Sequence, residues 1–216
     1  MLRYPHDTHT HTTYSDGRGN ILENVETAEK KNLKLLGISD HIHFFTEKTL
    51  RRYVREVKNI VSDIVVLAGI EANVIPGGSD LTDEIRKRLD YTIASVHTFV
   101  STSNEYVELV KGALLDENVD IIGHFGANFN HVGNPTWDEI EELIGLAEEM
   151  GKAFEISGWY RTPPIEFIKE CIRRGVRLTF GSDAHMPARV GDVSWSERVF
   201  LKAGGKKEDL FFSQFL

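Results

Sequence analysis

Residues 64–71, I-V-V-L-A-G-I-E, form an unbroken apolar run that ends on an acid. The run has strand length and is rich in β-branched residues. Continuous rather than alternating apolarity marks a strand buried on both faces, as in parallel sheets covered by helices. Charged, helix-like segments flank it, roughly over 46–60 before it and 80–89 after it. The same unit recurs outward. L-K-L-L-G-I-S-D-H (33–41) ends on His41, Y-T-I-A-S-V-H (91–97) on His97, and V-D-I-I-G-H (119–124) on His124. K-A-F-E-I-S (152–157) follows, and V-R-L-T-F-G-S-D-A-H (176–185) carries Asp183 and His185 just past its end. The first strand lies in D-T-H-T-H-T-T-Y-S-D-G (7–17). Alternate side chains of a strand share a face, so His9 and His11 project together, and Asp16 follows in the loop.

The intervening segments read as helices. Asn20 caps one whose apolar positions are Ile21, Leu22, Val25 and Ala28. Residues 103–115 form another. Thr136 and Glu139 make a capping box ahead of Ile140, Leu143, Ile144 and Ala147, and Gly151 ends that helix. Pro163 and Pro164 open a helix with Ile165, Ile168 and Ile172 inward, closed by Gly175. Strands alternating with helices predict parallel βαβ units, seven of them, in an α/β fold built as a barrel or large open sheet. A chain of this length fits one domain, 1–216. In a βα barrel the functional side chains gather at the C-terminal ends of the strands. His9, His11, His41, Glu71, His97, His124, Asp183 and His185 all stand at such ends.

Composition narrows the function. The net charge is −8 across 216 residues, which argues against a nonspecific nucleic-acid surface needing clustered Lys and Arg. A single cysteine, Cys171, excludes an intramolecular disulfide and fits a reducing cytoplasm. No window reaches the apolar length of a membrane span, and M-L-R-Y-P-H-D lacks the apolar core of a secretion signal. Six imidazoles with three carboxylates suit Zn, Mn or Fe better than Mg or Ca. Two or more such ions lower the pKa of bound water and clamp phosphoryl oxygens.

Taken in order, D-T-H-T-H-T-T-Y-S-D-G, S-D-H, G-I-E-A-N, V-H, I-I-G-H and G-S-D-A-H resemble the polymerase and histidinol phosphatase (PHP) family. The resemblance implies a distorted, TIM-like barrel of seven βα units holding up to three ions at the C-terminal strand ends. It implies that His9, His11, Glu71 and Asp183 hold one ion, and that Glu71 bridges to a second shared with His97 and His124. Asp16, His41 and His185 would hold the third. Phe125 stands where many relatives carry proline after the fifth-strand histidine, a change that removes no ligand. F-E-I-S-G-W-Y-R-T-P-P and G-S-D-A-H-M-P-A-R-V-G resemble the histidinol-phosphatase branch, which implies an arginine near the end of the sixth strand on the substrate phosphate. Arg161 is the candidate, because a guanidinium fork matches phosphate oxygens. Arg18 and Arg189 lie in loops expected to face the site.

The expected activity is hydrolysis of a small phosphomonoester, histidinol phosphate or another phosphorylated metabolite, with inorganic phosphate as product. Three divalent ions (Zn, Mn or Fe, or a mixture) would supply hydroxide to attack phosphorus, with Glu71, His97 and Asp183 as the catalytic set. The alternative is a nuclease-type phosphodiesterase acting on DNA or RNA ends, whose signature is an open groove with a basic rim. A noncatalytic metal-binding domain would have lost ligands, and all nine are present. Asp7 and Asp40 are candidates to orient an imidazole, with a plain strand-end carboxylate as the equal alternative. His43 and His131 are candidates for the pocket mouth, Trp159 and Tyr160 for its wall, and Cys171 for the core.

Overall fold

The run 64–71 is not one strand. In the computed structural model, which describes residues 2–216, it divides into β3 (Val65–Ala68) and β4 (Glu71–Ile75), and the chain changes sheet at Gly69–Ile70. The cause is Tyr91. Its fully buried ring fills the interior, its hydroxyl donates to the Thr8 carbonyl at 2.6 Å, and a Cβ on Gly69 would sit 2.3 Å from its Cζ. Only a residue without a side chain lets the backbone pass there. Glu71 therefore opens a strand instead of closing one. Its N–H donates to the carbonyls of Ser39 and Asp40, and it bridges to His41 beyond the end of β2 (Leu35–Ile38).

One sheet has the parallel order β1 (His6–Asp7), β2, β3. The other runs β5 (Gly78–Ser79), β4, β6 (Ile93–Ser95), β7 (Ile121–Ile122), β8 (Ala153–Ser157), β9 (Leu178–Gly181). All its pairs are parallel except β4 with β5. Hydrogen bonds cross both seams between the sheets. On one side Thr8 N–H donates to Phe180 and His11 N–H to Ala184. On the other, Asp90 N–H reaches Ala68 and Ile93 N–H reaches Ile70. The strands are shorter than the apolar runs that signal them, so His41, His97, His124, Asp183 and His185 stand in loops a residue or more past the strand ends.

Helices cover the strands: α1 (Ile21–Lys30), α2 (Glu47–Lys58), α3 (Asp83–Arg86), α4 (Ser103–Leu115), α5 (Phe129–Val132), α6 (Trp137–Met150), α7 (Ile165–Arg174) and α8 (Ser194–Lys202). Asn20 and Thr136 close capping boxes, and Gly151 and Gly175 end α6 and α7 with left-handed backbone. Two helix faces differ from expectation. On α1 the buried stripe is Ile21, Asn24, Val25 and Ala28, so Leu22 lies out of phase and is 54% exposed. Asn24 earns its inward place by donating from Nδ2 to the His11 carbonyl at 3.0 Å. On α7 Phe167, Ile168 and Cys171 are buried, while Ile165 and Ile172 are only half-buried. Among the described residues no helix is long and apolar enough to cross a membrane.

His6 is part of this framework. Its Nδ1–H donates to the Tyr4 carbonyl, its Nε2 accepts from Phe180 N–H, and its ring stacks on Phe180. Burial pulls its pKa down to about 4. The unfolded chain binds the proton more readily, so this stabilisation is complete above pH about 6.5 and is lost as pH falls toward 4. Its size is on the order of 3 kcal/mol, given the shift to about 4. Urea melts at pH 7 and 4.5 should show that loss, and His6→Gln should be less stable at pH 7 but flatter in pH. An equal slope in both proteins would count against a neutral His6.

Candidate metal centre

Glu71 is the hub, 1% exposed. Its Oε2 lies 3.0 Å from His41 Nδ1, 3.2 Å from His9 Nε2 and 3.5 Å from His11 Nε2. Its Oε1 lies 3.2 Å from both His97 Nε2 and His124 Nε2. One carboxylate thus divides two sets of imidazoles. Asp183 Oδ1 approaches His11 Nε2 at 3.2 Å and His9 Nε2 at 3.8 Å, joining the Oε2 side. Asp16, exposed in the loop after the first strand, sits 3.2 Å from His185 and 3.8 Å from His41. Ligand-type atoms of His11, Asp16, His41 and His185 lie within 4.8 Å of one another, as do those of His9, His11 and Glu71, and of His41, Glu71 and His97. All nine side chains singled out in the sequence come together.

The supports are not the expected ones. Asp7 orients no imidazole. It accepts from the N–H groups of His9, Ser182 and Gly191 and from the Ser182 hydroxyl, tying the first strand to the segment after β9. Asp40 likewise accepts from the amides and hydroxyls of Thr12 and Ser15 and so shapes the Asp16 loop. The imidazole partners are two residues the sequence reading passed over. Glu155 on β8, fully buried, accepts from His9 Nδ1–H and from His124 N–H, both at 2.9 Å. Asn73 on β4 accepts from His97 Nδ1–H at 2.9 Å. The acid inside the apolar run K-A-F-E-I-S was the available signal for Glu155, since a buried carboxylate needs a cationic or hydrogen-bonding partner. Gly181 completes the packing, because a Cβ there would fall 2.1 Å from Glu155 Oε1 and 2.7 Å from His9 Cβ. His124 and Asp183 hold left-handed φ values of 25° and 53°, backbone strain of a kind that clusters at functional sites.

Five donor atoms of the cluster are left without partners of their own. His9 Nε2, His11 Nδ1 and Nε2, His41 Nδ1 and Glu71 Oε2 are buried without a hydrogen-bond partner. Buried polar atoms are rarely orphaned, and these five belong to one cluster. The acids also favour positive charge on His9, His41 and His124, whereas burial lowers the pKa of His11. Burial opposes charge on His9, yet Glu71 and Glu155 hold its pKa well above the usual range. Burial opposes charge on Glu71 too, and His9, with hydrogen bonds from His124 and His41, keeps its carboxyl well below the ordinary value. An anionic carboxylate among convergent, unpartnered imidazole nitrogens, in a pocket that favours positive charge, fits divalent transition metals.

The three arginines are placed differently from one another. Arg189 lies 3.9 Å over the Trp159 ring, with Nε 3.5 Å from Asp192. Arg18 is exposed, and its backbone N–H donates to the His185 carbonyl. Arg161 is exposed, with a φ of 55°, and its side chain makes no hydrogen bond or ion pair among the described residues. Tyr160 packs against His124 with ring centres 5.0 Å apart. His43 lies beside His41, with Nδ1 3.4 Å from Asn73. His131 lines a cavity of about 540 Å³ with His97, His124 and Tyr160.

Residues 7–158 match the PHP domain, and the chain belongs to that family. A probable phosphatase of Caldicellulosiruptor bescii is 33% identical, over 89% of this chain and 85% of that protein. One from Acetivibrio thermocellus is 29% identical, over 88% and 83%. The histidinol phosphate phosphatase of Lactococcus lactis, solved with zinc, L-histidinol and phosphate, superposes with a TM-score of 0.67. It is 21% identical over 94% of this chain and 95% of that one, a likeness of fold.

Proposed function

We propose that this protein is a metal-dependent phosphoesterase that hydrolyses a small phosphomonoester. The observation that carries the reading is the convergence of five imidazoles on Glu71, with His185, Asp16 and Asp183 joining them through His11 and His41, and five buried atoms unpartnered. We assign His9, His11, Glu71 and Asp183 to one ion, Glu71, His97 and His124 to a second, and Asp16, His41 and His185 to a third. Zn, Mn and Fe all suit the donors. Ions bound there supply water activation and neutralise a phosphoryl group. The chain's part is to fix them. Glu71 stays anionic while buried and spans both sides of the cluster, and Glu155 orients His9 by accepting a hydrogen bond from its Nδ1–H. We also read the two sheets as one distorted barrel of seven βα units in a single domain over 1–216. The cross-seam hydrogen bonds support this. A cytoplasmic setting belongs to the same reading, supported by the lone buried Cys171.

A wall without lysine or arginine around the cavity beside His97 and His124 gives no track for a polynucleotide backbone, which favours the monoesterase over the nuclease. Protein reconstituted with Mn, Zn or Fe should release phosphate from a generic aryl monoester. No release with any of the three would overturn the reading. Arg161 remains our candidate for the substrate phosphate, since its exposed guanidinium is uncommitted. Arg161→Ala should raise KM for monoesters about tenfold, as expected for one charge-assisted hydrogen bond, with metal content unchanged. An unaltered KM removes it from the phosphate site.

A further inference from the structure

The cavity beside His97 and His124 has a composition that the metal cluster does not explain. Its wall comes from three loops, contributing Val96, Phe99 and Val100 after β6, Ala127 and Val132 around α5, and Tyr160 after β8. Val96 and Val100 are buried, whereas Phe99 is 87% exposed and Tyr160 46% exposed. An aromatic ring left in water at the mouth of a cavity has apolar area to cover. The polar groups in the wall are the imidazoles of His97, His124 and His131, the Tyr160 hydroxyl, Thr98, and Asn128, whose Nδ2 already donates to the Val96 carbonyl. Among the described residues no Lys, Arg, Asp or Glu lines it. A volume of about 540 Å³ lies within the range of small-molecule sites.

We propose that this cavity receives the alcohol portion of the substrate and selects an uncharged, ring-bearing alcohol. The inference rests on the phosphoesterase reading and deepens it. With the phosphoryl group at the Glu71 cluster, the ester oxygen faces the edge formed by His97 and His124, and the rest of the alcohol enters the cavity. A planar ring is buried there between Phe99 and Tyr160. An ammonium on the same alcohol would lose its hydration with no carboxylate partner in the wall. Selection therefore arises from apolar burial on one side and unpaired charge on the other.

Three monoesters with one linkage test this: 2-phenylethyl phosphate, ethyl phosphate and phosphoethanolamine, which differ only in ending on phenyl, hydrogen or ammonium. The metal-loaded enzyme should show kcat/KM about 10–100-fold higher for the phenylethyl ester than for ethyl phosphate, the range for burying one aromatic side chain. Phosphoethanolamine should do no better than ethyl phosphate. Val132→Asp and Phe99→Ser should erase the ratio while leaving kcat/KM for ethyl phosphate within about threefold, since neither side chain touches the reacting groups. A ratio near one, or a ratio that survives both substitutions, overturns the proposal. A second measurement separates it from the reading beneath it. 2-Phenylethanol titrated into the protein should shift methyl resonances of Val100 and Val132, and Val132→Asp should abolish the shifts. Shifts without hydrolysis of any ester would sink the phosphoesterase reading and keep the pocket. Their absence would sink the pocket.

Discussion

Glu71→Gln should give a folded protein with reduced metal content and phosphate release slowed about 10³-fold, as expected when a buried charge is removed from its partners at 3–5 kcal/mol. The reason is geometric. Glu71 faces three imidazoles with one oxygen and two with the other. An amide keeps the shape, but one of its two ends becomes a donor that cannot accept from an imidazole or bind a cation. Its neutrality also removes the charge that His9 and its neighbours offset. Metal analysis with a phosphate-release assay checks the outcome. Unchanged activity in this variant would end the assignment of Glu71 as the bridging carboxylate.

Glu155→Ala should lower metal affinity 10–100-fold, the cost usual for losing the outer partner of a ligating histidine. The substitution strips the acceptor from His9 Nδ1–H and from His124 N–H together. It therefore frees one imidazole to turn and leaves one buried amide unpaired. Glu155→Gln retains an acceptor and should recover most of the thermal stability but only part of the affinity, because the negative charge that raises the basicity of His9 is gone. Competition with a chelator measures the affinity, and a melt measures the stability. Wild-type affinity in the alanine variant would reduce Glu155 to a packing residue.

The sequence makes the ligand-type residues legible because their chemistry is unusual where it falls: histidines and acids closing apolar, β-branched runs. Helix ends were equally readable, since capping at Asn20 and Thr136 and the glycine stops at Gly151 and Gly175 depend on neighbours three or four residues away. Three features were hidden because their causes lie far along the chain. The break at Gly69 answers to Tyr91, and the inward turn of Asn24 answers to the His11 carbonyl. Glu155, lodged in an apolar strand, has meaning only once His9 is beside it. Asp7 and Asp40 mislead for a related reason. Adjacency in sequence to a histidine suggests service to its ring, whereas both carboxylates collect backbone amides from remote loops.

The stitching of Asp7 and Thr8 to the segment around Phe180 and Ser182 has a consequence for synthesis. A ribosome makes His9 and His11 long before Asp183 and His185 exist. Until the last strand emerges, His9 and His11 lack Asp183, and the growing polypeptide offers ions only an unfinished cage. The complete set of ligand-type side chains can therefore assemble only late in translation or after release.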